Sequence, residues 1–269
     1  MNDHISTVET LSALKRQEES AYYTTAGLYE DHLVDARCRL FMVEWCHTVA
    51  DFCKFSPDTI AIAVNNMDRY LAKRPHVLDD KRQFQLVVMT CLYTAVKLNE
   101  LEVLDTYTVS RLSKGVYSEE EIEEAEIEII ATLRWRLNPP TAMAFAVNYL
   151  KLLPTHPSKR AWEIVKAQVD LAVADASFLG TNNSCIGLAA VSNALSLLQE
   201  PLKSHSSIHA ICIEMELEGV PSDIQEKLIV RAQAAYGIQI RPALVRREAS
   251  KTMASSTADL SPRCVTMSR

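Results

Sequence analysis

The stretch "QLVVMTCLYTAVKLNE" (Gln85–Glu100) decides how this chain folds. From Leu86 to Val96 it carries no charge, and it then places Lys97 at the end of a run that is apolar all round. A helix with that pattern is buried on every side, and lysine is almost never fully buried unless paired. The stretch therefore implies a hub helix with neighbours around it, and a partner for Lys97 on one of them.

Working outward, the flanking segments carry the helical period, and none of useful length alternates strictly. A polar helix is expected over Val8–Tyr23, followed by helices at Arg37–Phe55, Pro57–Lys73, Asp80–Glu100, Thr106–Gly115 and Ser118–Arg134. Ser56-Pro57 is an N-cap followed by proline at the first helical position, and Ser118 with Glu121 makes a capping box. "NPP" (Asn138–Pro140) breaks the pattern, because proline lacks a donor and restricts the residue before it. A second set follows at Thr141–Leu152, Pro157–Phe178, Ser184–Gln199, Ser206–Glu216 and Ser222–Tyr236. Each set has a central helix rich in small residues, "TCLYTA" and "CIGLAAVSNA", which let neighbours approach closely. The expectation is an all-α protein: an N-terminal helix and linker over 1–36, five-helix folds over 37–137 and 138–240, and a disordered tail over 241–269, where apolar periodicity is lost.

The 269 residues suffice for one large or two modest domains. Six glycines and ten prolines fit long helices with few turns. The net charge of −6 argues against nucleic acid as a partner, since phosphate binding needs clustered Lys and Arg. No apolar run approaches the ~20 residues of a membrane span, and the polar N-terminus is no signal peptide; the nucleus or cytoplasm is expected. The seven cysteines, Cys38, Cys46, Cys53, Cys91, Cys185, Cys212 and Cys264, are scattered and read as reduced core thiols. His205, His209 and Cys212 share a helical face, but without a fourth ligand no metal is expected. No phosphate loop, nucleophile elbow or H-E-x-x-H is present, so neither a cofactor nor enzymatic activity is expected.

Helical wheels at ~100° per residue place four charges on apolar faces. Glu126 falls between Ile122, Leu133 and Ile130, while Glu119, Glu120, Glu124 and Glu128 point away. Asp68 lies between Val64 and Ala61, with Arg69 pointing outward. Arg39 stands among Val43, Cys46 and Ala50, and Lys97 completes the set. An isolated buried charge costs several kcal/mol, whereas a hydrogen-bonded pair is close to neutral. Two arrangements fit: two structural ion pairs, or one structural pair and one opening to the surface to capture a partner's backbone. Periodicity does not decide which cation meets which anion.

The frame R39-LFMVEW, AVNNMDRYL, QLVVMTCLYTAVKLNE and AEIEIIATLRWRL resembles the cyclin box. The family's five hallmark positions match Arg39, Asp68, Leu86, Lys97 and Glu126. The match runs over about Arg37–Leu137, and "VADASFLGTNNSCIGLAAVSNAL" resembles the second, degenerate cyclin fold. "LSALKRQEESAY" resembles the helix before the box, with a D-type flavour, although the L-x-C-x-E motif of many D-types is absent. The resemblance implies that Arg39 and Asp68 form a buried structural pair. It also implies that Lys97 and Glu126 sit together on a surface that binds backbone groups of a cyclin-dependent kinase, with Leu98 where many cyclins carry a Phe. The implied function is a regulatory subunit that activates such a kinase allosterically in cell-cycle control. The alternative is a cyclin-fold scaffold or transcription-linked adaptor that recruits peptides without activating a kinase. Cys38, Phe41, Trp45, Phe84 and Gln85 match a patch by which some cyclins dock R-x-L peptides. There the acidic residue for the peptide's Arg is replaced by Thr48, and the other reading is that Phe41 and Trp45 pack against the N-terminal segment. One structural observation discriminates: kinase capture requires Lys97 and Glu126 to be adjacent and partly exposed in the free chain.

Overall fold

The computed structural model describes residues 2–21, 24–102, 104–154, 156–198, 203–214 and 219–236, and every regular element among them is helical. The α-helices are α1 (Asn2–Ala21), α2 (Ala36–Cys53), α3 (Pro57–Lys73), α4 (Lys81–Asn99), α5 (Thr106–Leu112) and α6 (Glu119–Thr132), then α7 (Ala142–Lys151), α8 (Lys159–Ala174), α9 (Asn183–Leu197), α10 (Lys203–Glu214) and α11 (Ser222–Tyr236). None is long and apolar enough to cross a membrane. The tail expected over 241–269 lies outside the described residues.

Local chemistry sets the helix starts. A side-chain oxygen at the N-cap satisfies a backbone N–H that the first turn leaves without a partner. Asp35 accepts from the Cys38 N–H, Asp80 from those of Arg82 and Gln83, Asp105 from that of Thr108, and Thr141 from that of Ala144. Ser56 caps α3 with Pro57 behind it, and Ser118 and Glu121 form the reciprocal capping box of α6. Two segments depart from the periodicity. The segment expected to run as one helix from Pro157 ends at Ala174, because Asp175 leaves the helical region (φ −88°, ψ 113°) and accepts from the Ser177 N–H to start a 3₁₀ turn over Ala176–Phe178. The loop before α4 contains another 3₁₀ turn, Pro75–Asp79.

The chain divides into two compact units. One holds the described residues of Tyr22–Pro139 together with Val173–Gly180. Its hub is α4, packed against α2, α3 and α6, and every residue from Val87 to Val96 is buried. Met42 and Val49 of α2, Met67 and Leu71 of α3, and Ile122 and Ile129 of α6 close the core around it.

The other unit holds the described residues of Met1–Ala21, Pro140–Ala172 and Thr181–Ala254. Its hub is α9, packed against α7, α10 and α11, with α1 against α7. The small residues of α9 have a direct cause: a Cβ on Gly187 would stand 2.7 Å from the Ala142 carbonyl oxygen. Any larger residue would force α7 and α9 apart. The N-cap of α9, Asn182, makes no side-chain cap. Glu18 of α1 supplies one instead, accepting from the Ser184 N–H at 3.1 Å and the Ser184 hydroxyl at 2.6 Å. Burial pushes the Glu18 pKa up, against the opposing pull of the Ser184 hydrogen bonds.

Candidate functional site

The four charges on apolar faces form two pairs of different character. Arg39 of α2 meets Asp68 of α3 in a bidentate arrangement, Nε to Oδ1 at 3.0 Å and Nη2 to Oδ2 at 2.8 Å. Arg39 is 2% exposed and Asp68 1%. Further partners join the pair: the Tyr29 hydroxyl donates to Asp68 Oδ1 at 2.7 Å, and Arg39 donates to the carbonyls of Ala174 at 2.8 Å and Val173 at 3.0 Å. A buried ion pair survives desolvation only when its other lone pairs and protons are satisfied in this way. Burial, then the adjacent Asp68 charge, holds the Tyr29 phenol well above its ordinary pKa. For Arg39 desolvation is the largest influence and lowers its pKa, but Asp68 outweighs it, so the guanidinium stays charged.

Lys97 and Glu126 make the second pair, with Nζ 3.1 Å from Oε2 and 3.3 Å from Oε1. Here the partners differ in exposure: the Lys97 side chain is 47% exposed and that of Glu126 11%. Glu126 is rooted in the protein, with Oε1 3.3 Å from the Thr94 hydroxyl. Lys97 also lies 5.3 Å from the centre of the Tyr93 ring, within cation–π range. Desolvation pulls the Lys97 pKa down, but the hydrogen bond and charge of Glu126 outweigh it and the pKa is raised. The elements that carry the pair are braced from outside. Glu100, at the C-terminal cap of α4, accepts from the Ser56 N–H at 2.8 Å and from the Thr59 hydroxyl, tying the end of α4 to the start of α3. Arg82 of α4 reaches Glu121 in the first turn of α6 at 2.7 Å. Leu98 and Leu101, which follow Lys97, and Ile127, which follows Glu126, are exposed. The result is an ion pair anchored on its carboxylate side and open to solvent on its lysine side, whose ammonium has donor capacity beyond the Glu126 contacts.

Arg69 corrects the wheel. It does not point outward: it is buried, and its Nη1 donates to Asn66 Oδ1 at 3.0 Å and to the Arg136 carbonyl at 2.9 Å. Asn66 donates in turn to the Leu137 carbonyl at 2.8 Å. The chain leaving α6 folds back over the face of α3 that the wheel leaves open to water. A wheel built on α3 alone carries no signal of this.

Residues 9–138 match the family model for the cyclin N-terminal domain. Among curated proteins, the chain is 29% identical over 118 residues to the G2/mitotic-specific cyclin-2 of Antirrhinum majus, covering 44% of this chain and 26% of that protein. It is 26% identical over 173 residues to the G1/S-specific cyclin-E1 of Rattus norvegicus, covering 60% of this chain and 41% of that protein. The chain carries a cyclin N-terminal domain. The matched region spans less than half of either relative. A solved viral cyclin from herpesvirus saimiri shares the fold, with a TM-score of 0.56 at 16% identity over 77% of this chain and 96% of that one.

Against the cyclin frame, the five residues of the peptide patch divide. Phe84 is fully buried in the core and Gln85 is buried, with its Oε1 3.2 Å from the Tyr117 hydroxyl. Gln85 is turned inward and engaged, so the peptide hydrogen bond expected of it has no open group to use. Trp45 is buried as well, while Cys38 and Phe41 are half-buried, the Phe41 ring lying 5.4 Å beneath the Arg37 guanidinium. Phe84, Gln85 and Trp45 are therefore corrected from surface residues to core ones: Phe84 meets Tyr29 edge-on with ring centres 6.5 Å apart, Gln85 meets Tyr117, and Trp45 belongs to the buried cluster. Tyr29, the third member of the Arg39–Asp68 cluster, carried no periodic signal, since it sits in the irregular segment before α2. His209 is exposed and Cys212 buried, and the side chain of His205 lies outside the described residues; among those residues no group of three ligating side chains could hold a metal.

Proposed function

We propose that this chain is a regulatory subunit that binds a cyclin-dependent protein kinase through Lys97 and Glu126 and activates it allosterically, without catalysis of its own, in the nucleus or cytoplasm. Support comes from a single observation: the two side chains are adjacent at 3.1 Å, with the lysine half-exposed on an anchored carboxylate. Water around the half-exposed lysine screens the pair, so its contribution to folding is modest. Its arrangement is better explained by what it offers outward. The ammonium donates to carbonyls and the carboxylate accepts from N–H groups, and each holds the other in place before a partner arrives, which lowers the ordering cost of binding.

In protein kinases a Lys–Glu ion pair requires helix αC in its inward position. A rigid helical surface that binds the inward state better than the outward one shifts the population toward activity. Leu98 and Leu101 would supply apolar contact area beside the polar grip. Recruitment of R-x-L peptides as the main activity is disfavoured by the closed positions of Phe84 and Gln85.

The test is co-purification of the wild-type chain, Lys97→Ala and Glu126→Ala with kinases from the native cell extract, followed by phosphorylation assay of the bound fraction. Circular dichroism verifies that each variant is folded. The expected result is an active kinase retained by wild type and lost by both folded variants. Retention by the variants, or no kinase on wild type, would overturn the assignment.

A further inference from the structure

The turn that leaves α6 is held in a conformation its residues do not favour. Arg134 and Trp135 are consecutive non-glycine residues at φ +53° and +61°, the left-handed region that side chains with a Cβ rarely enter. Within the turn, the N–H groups of Arg134, Trp135 and Arg136 donate to the carbonyls of Ala131, Ile130 and Leu133, each at 3.1 Å. From α3, Arg69 and Asn66 take the carbonyls of Arg136 and Leu137, and Lys73 Nζ takes that of Thr132 at 3.1 Å. Arg69 and Asn66 are buried, so the brace is part of the core.

What the brace achieves is to hold an indole out in water: Trp135 is 79% exposed. Burial of so large an apolar side chain would stabilise the fold, yet this turn, held at positive φ, leaves it in water. Strain that persists because the surroundings over-determine it clusters at functional sites. Tryptophan and arginine are also the side chains most enriched among binding hot spots. Arg134 and Arg136 flank Trp135 and are exposed. Lys73 and Arg74, at the end of α3, add to the same positive field. The Lys73 pKa is lowered, by desolvation first and then by the charges of Arg69, Arg134, Arg136 and Arg74. Glu128 offsets part of that charge, pairing with Arg74 at 3.4 Å. This cationic cluster lies on a chain whose net charge is −6.

We propose that the Arg134–Trp135–Arg136 turn docks a short acidic protein segment carrying an apolar side chain, the indole packing on the apolar group and the arginines pairing with its carboxylates. Charge complementarity sets the sign of the partner. A long polyanion such as nucleic acid is disfavoured, because beyond the cluster it would meet the exposed acidic face of α6 at Glu119, Glu120 and Glu124. No part of this depends on what Lys97 and Glu126 hold.

The probe is a fluorescein-labelled decapeptide of Glu and Asp with Phe-Leu at its centre, titrated with the full chain and followed by polarisation. A Lys/Arg version of the peptide and a short DNA duplex serve as controls. Saturable binding tighter than about 1 mM is expected for the acidic peptide only. Trp135→Ala should weaken it on the order of tenfold, and Trp135→Phe should restore most of the loss. Arg134→Glu should weaken it at least roughly threefold at low salt, with less difference near 0.3 M salt, where exposed charges are screened. Thermal melts verify that each variant is folded. The assignment is overturned by absence of saturation, by equal binding of the basic peptide, by preference for the duplex, or by folded variants that bind like wild type.

Discussion

Removing Arg39 should destabilise the protein more than removing Asp68, although the two are partners in one ion pair. In Arg39→Ala the Asp68 carboxylate stays behind almost fully buried, with the Tyr29 hydroxyl as the partner remaining from this cluster. Stranding a buried charge costs about 3–5 kcal/mol. The carbonyls of Val173 and Ala174 lose their donors as well, and an unsatisfied buried polar group adds roughly 1–3 kcal/mol. In Asp68→Ala the stranded guanidinium keeps both carbonyls and only the Tyr29 hydroxyl loses its partner, one group against the two that Arg39→Ala strands, so the loss falls toward the lower end of the same range, about 3–4 kcal/mol. Tyr29→Phe removes one hydrogen bond to a charged acceptor, about 1.5–3 kcal/mol. The predicted order is therefore Arg39→Ala, then Asp68→Ala, then Tyr29→Phe. Replacing both charges together, as Arg39→Met with Asp68→Leu, is often neutral for a simple buried pair. Here it should remain destabilising by roughly 2 kcal/mol, because the carbonyls and the Tyr29 hydroxyl are left without partners. The assay is urea unfolding followed by Trp45 fluorescence in a Trp135→Phe, Trp162→Phe background, so that the signal reports the unit containing the pair, with slope and midpoint fitted together. Equal losses for Arg39→Ala and Asp68→Ala, or a neutral double replacement, would show that the two carbonyls are bystanders and refute the reasoning.

Glu18 should make the packing of α1 sensitive to pH. Its folded pKa is raised above 4.5 by burial, so the folded state holds the proton to higher pH than the unfolded one. Its favourable contribution is then complete below pH 4.5 and is lost as pH rises through the folded value. Thermal melts from pH 4.5 to about 7 should show a flatter dependence for Glu18→Gln than for wild type, while Glu18→Ala should lose roughly 1–3 kcal/mol because the Ser184 N–H is left without its acceptor. Burial pushes the Cys46 thiol up to about 12 and raises that of Cys91 as well; both should resist Ellman's reagent at pH ~8 until the protein unfolds, since the thiolate is the reactive form. Ser118→Ala should cost about 1 kcal/mol in urea unfolding by removing half of the α6 capping box.

The helices were legible because burial imposes a period on the sequence. The run from Leu86 to Val96 is apolar on all sides because α2, α3 and α6 pack around α4, and the small residues of α9 reflect the close approach of α7 at Gly187. The same wheels brought out Arg39, Asp68, Lys97 and Glu126 as charges on apolar faces. They left the pairing open, since a wheel gives direction about one axis and no distance between axes. Arg69 shows where the method fails. It faces away from the apolar stripe of α3, and water was the expected neighbour. The neighbour is instead the backbone at Arg136 and Leu137, whose carbonyls need donors that no periodicity announces. Tyr29 and the carbonyls of Val173 and Ala174 were silent for the same reason, since irregular backbone and segments 134 and 135 residues away from Arg39 leave no local pattern. The turn at Trp135 goes further, because local preference opposes it: Arg and Trp at positive φ are disfavoured, and a sequence reading would place neither there. The donors that α3 supplies, Arg69, Asn66 and Lys73, hold that conformation together with the turn's own hydrogen bonds. The misplaced Arg69 and the unforeseen turn are thus one structural fact: a buried cation was read as solvated because the backbone it holds, bent into a shape its residues resist, was itself unreadable.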